Sequence, residues 1–195
     1  MVKRTYKFST ASVDYYFEGQ LSQLGKIVDK TNAVIITDEN IFKAHGNKLK
    51  NWNTIVLKAG EEFKIQPTVD TIVEQLIELG ADRKSTLVGI GGGVITDLTG
   101  YVASIYMRGI QFGFVPTSLL AMVDASIGGK NGVDVVDSAG KLTITSSTIY
   151  ELPAWNYVIS LSAADYLEIM WLVNMYGTSG CHTKKSTFSW ELTHN

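Results

Sequence analysis

Residues 88–100 read VGIGGGVITDLTG, and this stretch decides how the chain is expected to fold. A short apolar run ends in three consecutive glycines, Gly91 to Gly93, and a segment with helical spacing follows at once. A helix that starts after a glycine turn presents unpaired backbone N–H groups and the positive end of its dipole. Glycine has no Cβ atom that would keep an anionic ligand away. The stretch therefore predicts a strand, a turn suited to a diphosphate group, and a helix.

A second interpretation of the glycines is structural. They could simply allow the helix to pack closely on the strand in a tight turn. The triple glycine also departs from the G-x-G-x-x-G spacing that is typical of dinucleotide-binding turns. The glycine pattern alone therefore leaves both interpretations open.

The rest of the first 120 residues alternates strand and helix patterns. Continuous apolar runs predict buried strands at 33–37, 54–57, 85–90 and 112–115. Helical spacing follows Asp38, runs from Pro67 to a C-cap at Gly80, and covers 94–107. Alternation over 5–17 predicts a hairpin or two short strands, and 21–28 a short helix. This order predicts an α/β fold with a Rossmann-like parallel sheet flanked by helices.

Polar residues follow the predicted strands at their carboxyl ends, where open parallel sheets bind ligands. Asp38, the loop KAGEEFK at 58–64, the triple glycine and Pro116-Thr117-Ser118 are expected to meet in one crevice. Asp97, four residues after the last glycine, is placed on the first helical turn. The dipole stabilises a carboxylate there, and Asp97 could also bind a cofactor. Lys64 could be a solvated loop lysine or a contact to a nucleotide.

The segment 117–131, TSLLAMVDASIGGKN, contains Asp124 and Lys130, with two glycines directly before the lysine. Glycines that free the backbone beside a cation suit an anionic ligand. Arg108 ends a helix, where the dipole alone favours a cation.

Composition excludes several classes of protein. The 195-residue chain is 45% hydrophobic and 18% charged, which predicts a folded core rather than disorder. A net charge of −2 gives no general affinity for nucleic acid or anionic membranes. No apolar run is long enough to span a bilayer, and the first residues lack an apolar signal segment. The single cysteine, Cys181, excludes an internal disulfide. We therefore expect a soluble cytoplasmic protein.

Three segments resemble the amino-terminal domain of the 3-dehydroquinate synthase family. They are AGEEFK at 59–64, GGGVITDLTGYVASIYMRGI at 91–110 and VPTSLLAMVDASIGGKNGVDV at 115–135. The resemblance implies an NAD-binding α/β domain over 1–135, normally followed by an all-helical domain with a divalent metal, usually zinc or cobalt. It implies a lyase of the shikimate pathway to aromatic amino acids. NAD oxidises 3-deoxy-D-arabino-heptulosonate 7-phosphate, phosphate is eliminated, and reduction and ring closure give 3-dehydroquinate.

The resemblance also implies roles for individual residues. Those expected to bind NAD are Asp38, Gly60, Glu61, Lys64, Gly92, Gly93, Val94, Ile95, Thr96, Asp97, Thr117, Ser118 and Lys130. Asp124, Lys130 and Arg108 are expected to be catalytic, at the substrate and nicotinamide. The resemblance also implies that Arg108 serves a neighbouring subunit, and because the family is commonly dimeric, a homodimer is expected. The expected partner is a small sugar phosphate, with no nucleic acid and no membrane.

After Val135 the family pattern ends. Residues 136–195 lack the metal-binding Ser-Gly-x-Ala-Glu and Gly-His-Thr-x-Gly-His motifs, so the metal ligands are not identifiable. Cys181, His182 and His194 lack a four-ligand zinc spacing. We expect that this divergent tail replaces the helical metal domain and comes from a shifted reading frame or a rearranged gene.

Three alternatives remain open at this point. The chain could be an inactive NAD-binding fragment. It could be another sugar-phosphate cyclase, because the differences within that group lie mainly beyond the matching segments. It could also be an iron-dependent polyol dehydrogenase, although those enzymes usually carry serine after the three glycines, where this chain has Val94.

Overall fold

The computed structural model describes residues 1–7, 12–127, 131–136 and 142–143. Its strands are β1 Val2–Lys7, β2 Ser12–Phe17, β3 Ala33–Asp38, β4 Asn53–Leu57, β5 Thr86–Gly91, β6 Gln111–Pro116, β7 Val135–Val136 and β8 Leu142–Thr143. Its α-helices are α1 Glu39–His45, α2 Gln66–Glu78 and α3 Gly93–Ile105. Short 3-10 turns cover Leu21–Lys26, Gly46–Leu49, Glu61–Phe63 and Tyr106–Arg108, and a π-helical turn covers Ala121–Ala125.

The centre of the fold is a parallel four-stranded sheet with the order β4-β3-β5-β6. The chain leaves β3 for β4 on one side, and α2 then carries it over β3 to β5 on the other side. The strand order therefore reverses between β3 and β5, which is where sheets of this type form a ligand crevice. The predicted α/β fold with a Rossmann-like parallel sheet is confirmed.

Both faces of the sheet are covered, as a parallel sheet requires. On one face Val34, Leu87 and Phe112 pack with apolar side chains of α2 and α3. On the other face Ile35 and Val88 pack with residues of β2 and of the first 3-10 turn. The two faces take alternate residues of each strand, which explains why the strands appear in the sequence as unbroken apolar runs.

Helix α3 lies so close to β5 that two strand positions on its side must be glycine. A Cβ on Gly89 would lie 2.5 Å from Thr99 Oγ1, and a Cβ on Gly91 would lie 2.5 Å from Ile95 Cγ1. Both glycines follow Leu87 at intervals of two, so they share the face that α3 covers. The packing interpretation therefore accounts for Gly91, the first glycine of the triplet.

Several predicted boundaries move by one or two residues. The third predicted strand ends at Gly91 rather than Ile90, and α3 begins at Gly93 rather than Val94. Helix α3 ends at Ile105 rather than Met107, because Met107 (φ 51°) and Arg108 (φ 69°) have left-handed backbones. The placement of Asp97 on the first turn is wrong, since Asp97 is the fifth residue of α3. A direct dipole contact does not explain this carboxylate.

Other local predictions are confirmed. The segment 5–17 forms the antiparallel hairpin of β1 and β2, which begins earlier, at Val2. Helix α2 ends at the predicted glycine: Gly80 has φ +70°, its N–H donates to Ile77 O, and Ala81 N–H donates to Leu76 O. These two bonds form a Schellman motif. Within the described part of the chain, no helix is both long and apolar enough to cross a membrane.

The predictions for the divergent tail lie outside the described residues. These include the zinc alternative of Cys181, His182 and His194, and Lys130 with its two preceding glycines lies outside as well. The division into residues 1–135 and 136–195 stays a prediction.

We predict that Gly89→Ala destabilises the domain by about 1–3 kcal/mol, because the new methyl group overlaps Thr99 in a packed interface. Urea unfolding should show a lower midpoint with an unchanged slope. Adding Thr99→Ala should restore part of the loss, since it removes two of the three nearest atoms. A fully additive pair of substitutions would contradict this account of the packing.

Candidate functional site

A cleft of about 130 Å³ opens where β3 and β5 end. Asp38 and the loop residues Lys58, Ala59 and Gly60 line one side, and residues 92–95 line the other. This is the crevice at the reversal of strand order. The structure thus brings Asp38, the loop after β4 and the glycine turn together, as the sequence predicted.

The amino end of α3 forms one wall of the cleft with free backbone donors. The first N–H group used inside the helix is that of Thr96, which donates to Gly92 O at 3.1 Å. The amides of Gly93, Val94 and Ile95 precede it and have no acceptor in the helix. None of the described side chains caps this end, where Gly92 is the N-cap residue. Three donors and the positive end of the dipole therefore suit an anion.

None of the described neighbours of positions 92 and 93 requires glycine there. A Cβ on Gly92 would lie 3.6 Å from Ser118 Oγ, and a Cβ on Gly93 would lie 3.8 Å from Ala125 Cβ. These are ordinary contact distances, and the backbone of Gly92 (φ −77°) suits any residue. The last two glycines of the triplet therefore leave space at the free amides, which fits the diphosphate of a dinucleotide.

Asp38 is both the last residue of β3 and the N-cap residue of α1. Its Oδ1 accepts a hydrogen bond from Ile41 N–H at 2.9 Å. This bond fixes the carboxylate at the cleft, opposite the glycine turn. Sequence analysis missed its neighbour Thr37, whose buried hydroxyl donates to Ile90 O at 2.7 Å and ties β3 to β5 beside the cleft. The single polar residue at the end of the apolar run AVIIT could have indicated that Thr37 makes a specific hydrogen bond.

Lys64 joins three separate segments of the chain. Its Nζ lies 2.7 Å from Asp97 Oδ2 of α3 and 3.5 Å from Glu61 Oε1 of its own loop. Its carbonyl accepts a 2.7 Å hydrogen bond from Asp134 N–H, beside a parallel bridge between Ile65 and Asp134. All three segments that carry the family resemblance therefore meet at this lysine.

The pair of Lys64 and Asp97 is mostly buried, with side chains 17% and 18% exposed. Burial raises the pKa of the Asp97 carboxyl to about 6, although the hydrogen bond and charge of Lys64 act to lower it. The charges of Glu61 and Asp124 add to the rise. Burial alone would lower the pKa of Lys64, but the hydrogen bond and charge of Asp97 and two further carboxylates raise it. The pair is therefore sensitive to any added charge.

Residues after β6 cover the glycine turn. Thr117 N–H donates to Gly91 O at 2.8 Å, and Ser118, which is exposed, accepts from Ala121 N–H through its Oγ. The π-helical turn carries Asp124, which is also exposed. Thr96 points elsewhere, because its buried hydroxyl donates to Gly93 O at 2.9 Å. If Thr96 binds a ligand, its hydroxyl must first leave the helix backbone.

Arg108 lies apart from these residues. It follows α3 and precedes β6, so it lies at the amino-terminal ends of the strands, whereas the glycine turn lies at their carboxyl ends. A helix of 13 residues separates the two positions by about 20 Å. Arg108 is exposed, and its left-handed backbone is unusual for a residue with a side chain. It cannot reach the cleft of its own chain.

Comparison with known proteins agrees with this geometry. Residues 54–149 match the model of the 3-dehydroquinate synthase amino-terminal domain. This part of the chain is thus similar to the amino-terminal domain of 3-dehydroquinate synthases. The 3-dehydroquinate synthase of Campylobacter curvus is 44% identical over 126 residues, covering 62% of this chain and 36% of that protein. That of Pyrococcus abyssi is 58% identical over 80 residues, covering 41% and 24%. The resemblance found in the three segments is thereby confirmed.

The chain spans about a third of the length of the first curated 3-dehydroquinate synthases that it matches, with shares of 36% and 37%. Among solved structures, 2-epi-5-epi-valiolone synthase from Streptomyces hygroscopicus subsp. jinggangensis 5008 is 29% identical with a TM-score of 0.59. The match covers 68% of this chain and 40% of that enzyme, which was solved with NAD+ and Zn2+ bound. A 2-deoxy-scyllo-inosose synthase, 24% identical with a TM-score of 0.65 over 82% of this chain and 46% of that chain, supports the fold.

The described residues do not contain the metal site that the family resemblance implies. Within them, no group of three or more His, Cys, Asp or Glu side chains is placed to bind a metal ion. The acidic residues around Lys64 do not form such a group. We therefore assign no described residue to zinc or cobalt.

We predict that Asp97 titrates near pH 6 in the folded domain and that Lys64→Met raises its pKa further, because the substitution removes the neighbouring positive charge. Carbon-13 NMR of the labelled carboxyl group measures both values. Lys43→Met, at an exposed site on α1, is the matched control and should leave the titration unchanged. An unshifted Asp97 in Lys64→Met would contradict the pairing.

The same shift sets the pH dependence of stability. The folded pKa lies above the unfolded value of about 3.9, so the contribution of Asp97 to stability is complete below pH ~4. It is lost as the pH rises through about 6. Asp97→Asn should lack this fall, which denaturant unfolding at several pH values will detect.

Proposed function

We propose that this chain provides the NAD-binding part of a 3-dehydroquinate synthase. The reaction is the conversion of 3-deoxy-D-arabino-heptulosonate 7-phosphate to 3-dehydroquinate with loss of phosphate. The observation that carries the proposal is the row of free amides at residues 93–95, in front of two glycines that the fold itself does not require. Family membership supplies the reaction, and the open helix end supplies the anion site.

The diphosphate of NAD binds at the amides of Gly93, Val94 and Ile95, with the space left at Gly92 and Gly93. Asp38, at the far side of the cleft, accepts a hydrogen bond from a ribose hydroxyl, as an acidic residue after a strand does in dinucleotide folds. Gly60 lets the loop after β4 approach the cofactor, since its φ of +134° excludes most side chains. The bound NAD+ in the related valiolone synthase supports this assignment.

A bound NAD would supply hydride transfer from and back to a ring alcohol of the substrate. The residues of this chain orient that cofactor and exclude water from it. Thr117 N–H donates to Gly91 O beside the glycine turn, and Lys64 pairs with Glu61 and Asp97, which ties the loop after β4 to α3. Asp124 lies on the turn beside Gly93 and is assigned to the substrate side. Lys130, outside the described residues, is assigned there as well.

The remaining assignments follow from the same proposal. The substrate is a small sugar phosphate, and the protein works in the cytoplasm. Arg108 lies about one helix length from the cleft, so it serves the site of a second subunit in a homodimer. Its exposure and its constrained backbone at the opposite edge of the sheet support this role.

A second candidate function is NAD binding without turnover. It is favoured by the sequence of residues 136–195, which lacks the metal-binding motifs that the family resemblance implies. A divalent metal would polarise the reacting hydroxyl, which contributes several kcal/mol to lowering the barrier.

We predict that Gly93→Ala weakens NAD binding by about tenfold or more, because a methyl group at the free amides displaces the diphosphate and costs one or two hydrogen bonds. Calorimetric titration measures the affinity. Thermal unfolding should show no loss of stability, since the new methyl group meets only Ala125 at 3.8 Å. Gly46→Ala, whose methyl would also find ordinary contacts, is the matched control. Unchanged affinity in Gly93→Ala would contradict the proposed diphosphate site at the start of α3.

A turnover assay of the full chain, supplied with NAD, zinc and the keto-sugar phosphate, separates the two candidate functions, since release of phosphate with formation of 3-dehydroquinate would support the first. Coupled detection of both products measures the reaction, and Gly93→Ala should slow it. Tight NAD binding with neither product would instead establish the second candidate function.

A further inference from the structure

The wall of the cleft at Asp38 carries a second carboxylate, that of Glu39. Glu39 is the first residue of α1, and its Oε1 accepts a hydrogen bond from Ala59 N–H at 3.4 Å. Ala59 lines the cleft, and so does Asp38, whose own carboxylate accepts from Ile41 N–H. Backbone N–H groups therefore hold both carboxylates at this wall.

The strand order places this wall relative to the glycine turn. Strand β3 lies between β4 and β5, and Asp38 ends it opposite Leu57 of β4. The loop after β4, which contains Ala59, and the glycine turn after β5 therefore lie on opposite sides of Asp38. On the proposed function the diphosphate binds at the glycines, so the nucleoside at Asp38 has Glu39 and Ala59 on the side away from the diphosphate.

Two lysines lie close enough in the chain to be considered as partners of these carboxylates. Lys58 lines the cleft, and its Nζ lies 5.5 Å from the centre of the Phe63 ring. Lys43 is exposed on α1. Among the described residues, neither lysine forms an ion pair with Asp38 or Glu39. The two negative charges therefore act on a ligand at this wall without a paired cation from the described part of the chain.

We propose that Glu39, together with Asp38, excludes a phosphate group from the adenosine ribose and so makes the cleft selective for NAD over NADP. The inference rests on the proposed function, in which Asp38 accepts a hydrogen bond from that ribose. A ribose hydroxyl can donate to a carboxylate, whereas a phosphate offers only acceptors and carries a charge of about −1.5 to −2. Glu39 is thus a residue that determines the class of cofactor, because its charge repels the phosphate of NADP.

The test is calorimetric titration of the full chain with NADH and with NADPH. We expect NADH to bind about tenfold or more tightly, because NADPH loses a hydrogen bond to Asp38 and meets two like charges. Raising the salt concentration from about 0.05 M to about 0.5 M should reduce this ratio, since salt screens the repulsion. The diphosphate is common to both ligands, so its own salt dependence cancels in the ratio.

Two substitutions at one position locate the effect. Glu39→Gln keeps an oxygen that can accept from Ala59 N–H but removes the charge, so the affinity for NADPH should rise about threefold to fivefold while that for NADH stays unchanged. Glu39→Lys reverses the charge and should raise the NADPH affinity further. Glu78→Gln, at an exposed site near the end of α2, is the matched control and should change neither affinity. If a Glu39 variant does not fold, the two ligands and the salt series on the unmodified chain still test the selectivity.

The outcomes separate this inference from the proposed function. Binding of NADPH as tight as that of NADH would overturn the selectivity and leave the cofactor site intact, with Lys58 as the group that accepts the phosphate. A ratio that both Glu39 variants leave unchanged would overturn the role of Glu39 and assign the exclusion to Asp38 alone. Failure of both dinucleotides to bind would overturn the proposed function as well. Weak binding of NADPH that strengthens in Glu39→Gln and not in Glu78→Gln would support both.

Discussion

The close approach of α3 to β5 is the constraint on which the rest of this structure depends. Gly89 and Gly91 lie on the face of β5 that α3 covers, and any side chain there would overlap Thr99 or Ile95. The approach brings the first turn of α3 directly over the end of the strand, where the sheet reverses its strand order. The free amides of the helix therefore open into the crevice rather than into bulk solvent.

The triple glycine thus has two different physical reasons within three residues. Gly91 is required by packing, whereas Gly92 and Gly93 would accept a Cβ at ordinary contact distances. Glycine at a helix start costs conformational entropy, and no described neighbour requires it at these two positions. The packing interpretation is therefore confirmed for Gly91. The anion-binding interpretation applies to Gly92 and Gly93 and stays a proposal.

What could be predicted from the sequence was mostly local. Apolar periodicity located the four strands, and the glycine after α2 located its end, because these features depend on neighbours in the chain. The contact between Lys64 and Asp97 could not be predicted from spacing. It depends on the loop after β4 reaching over β3 to α3, which requires the strand order. The left-handed turn at Met107 and Arg108 was missed as well, since neither residue type favours that backbone.

The position of Asp97 along α3 explains why this carboxylate needs a partner. On the first turn, the helix dipole would stabilise its charge, but one turn further along the dipole acts less and burial dominates. Lys64 offsets the effect of burial on the Asp97 carboxyl only in part, since the pKa of Asp97 still rises to about 6. A surface ion pair of this length would add little stability, and a mostly buried one offsets its own desolvation at best. Stability alone therefore does not explain a lysine surrounded by carboxylates here. Its backbone bond to Asp134 and its side-chain bond to α3 instead fix three segments around one cleft, which is the arrangement that a cofactor site needs.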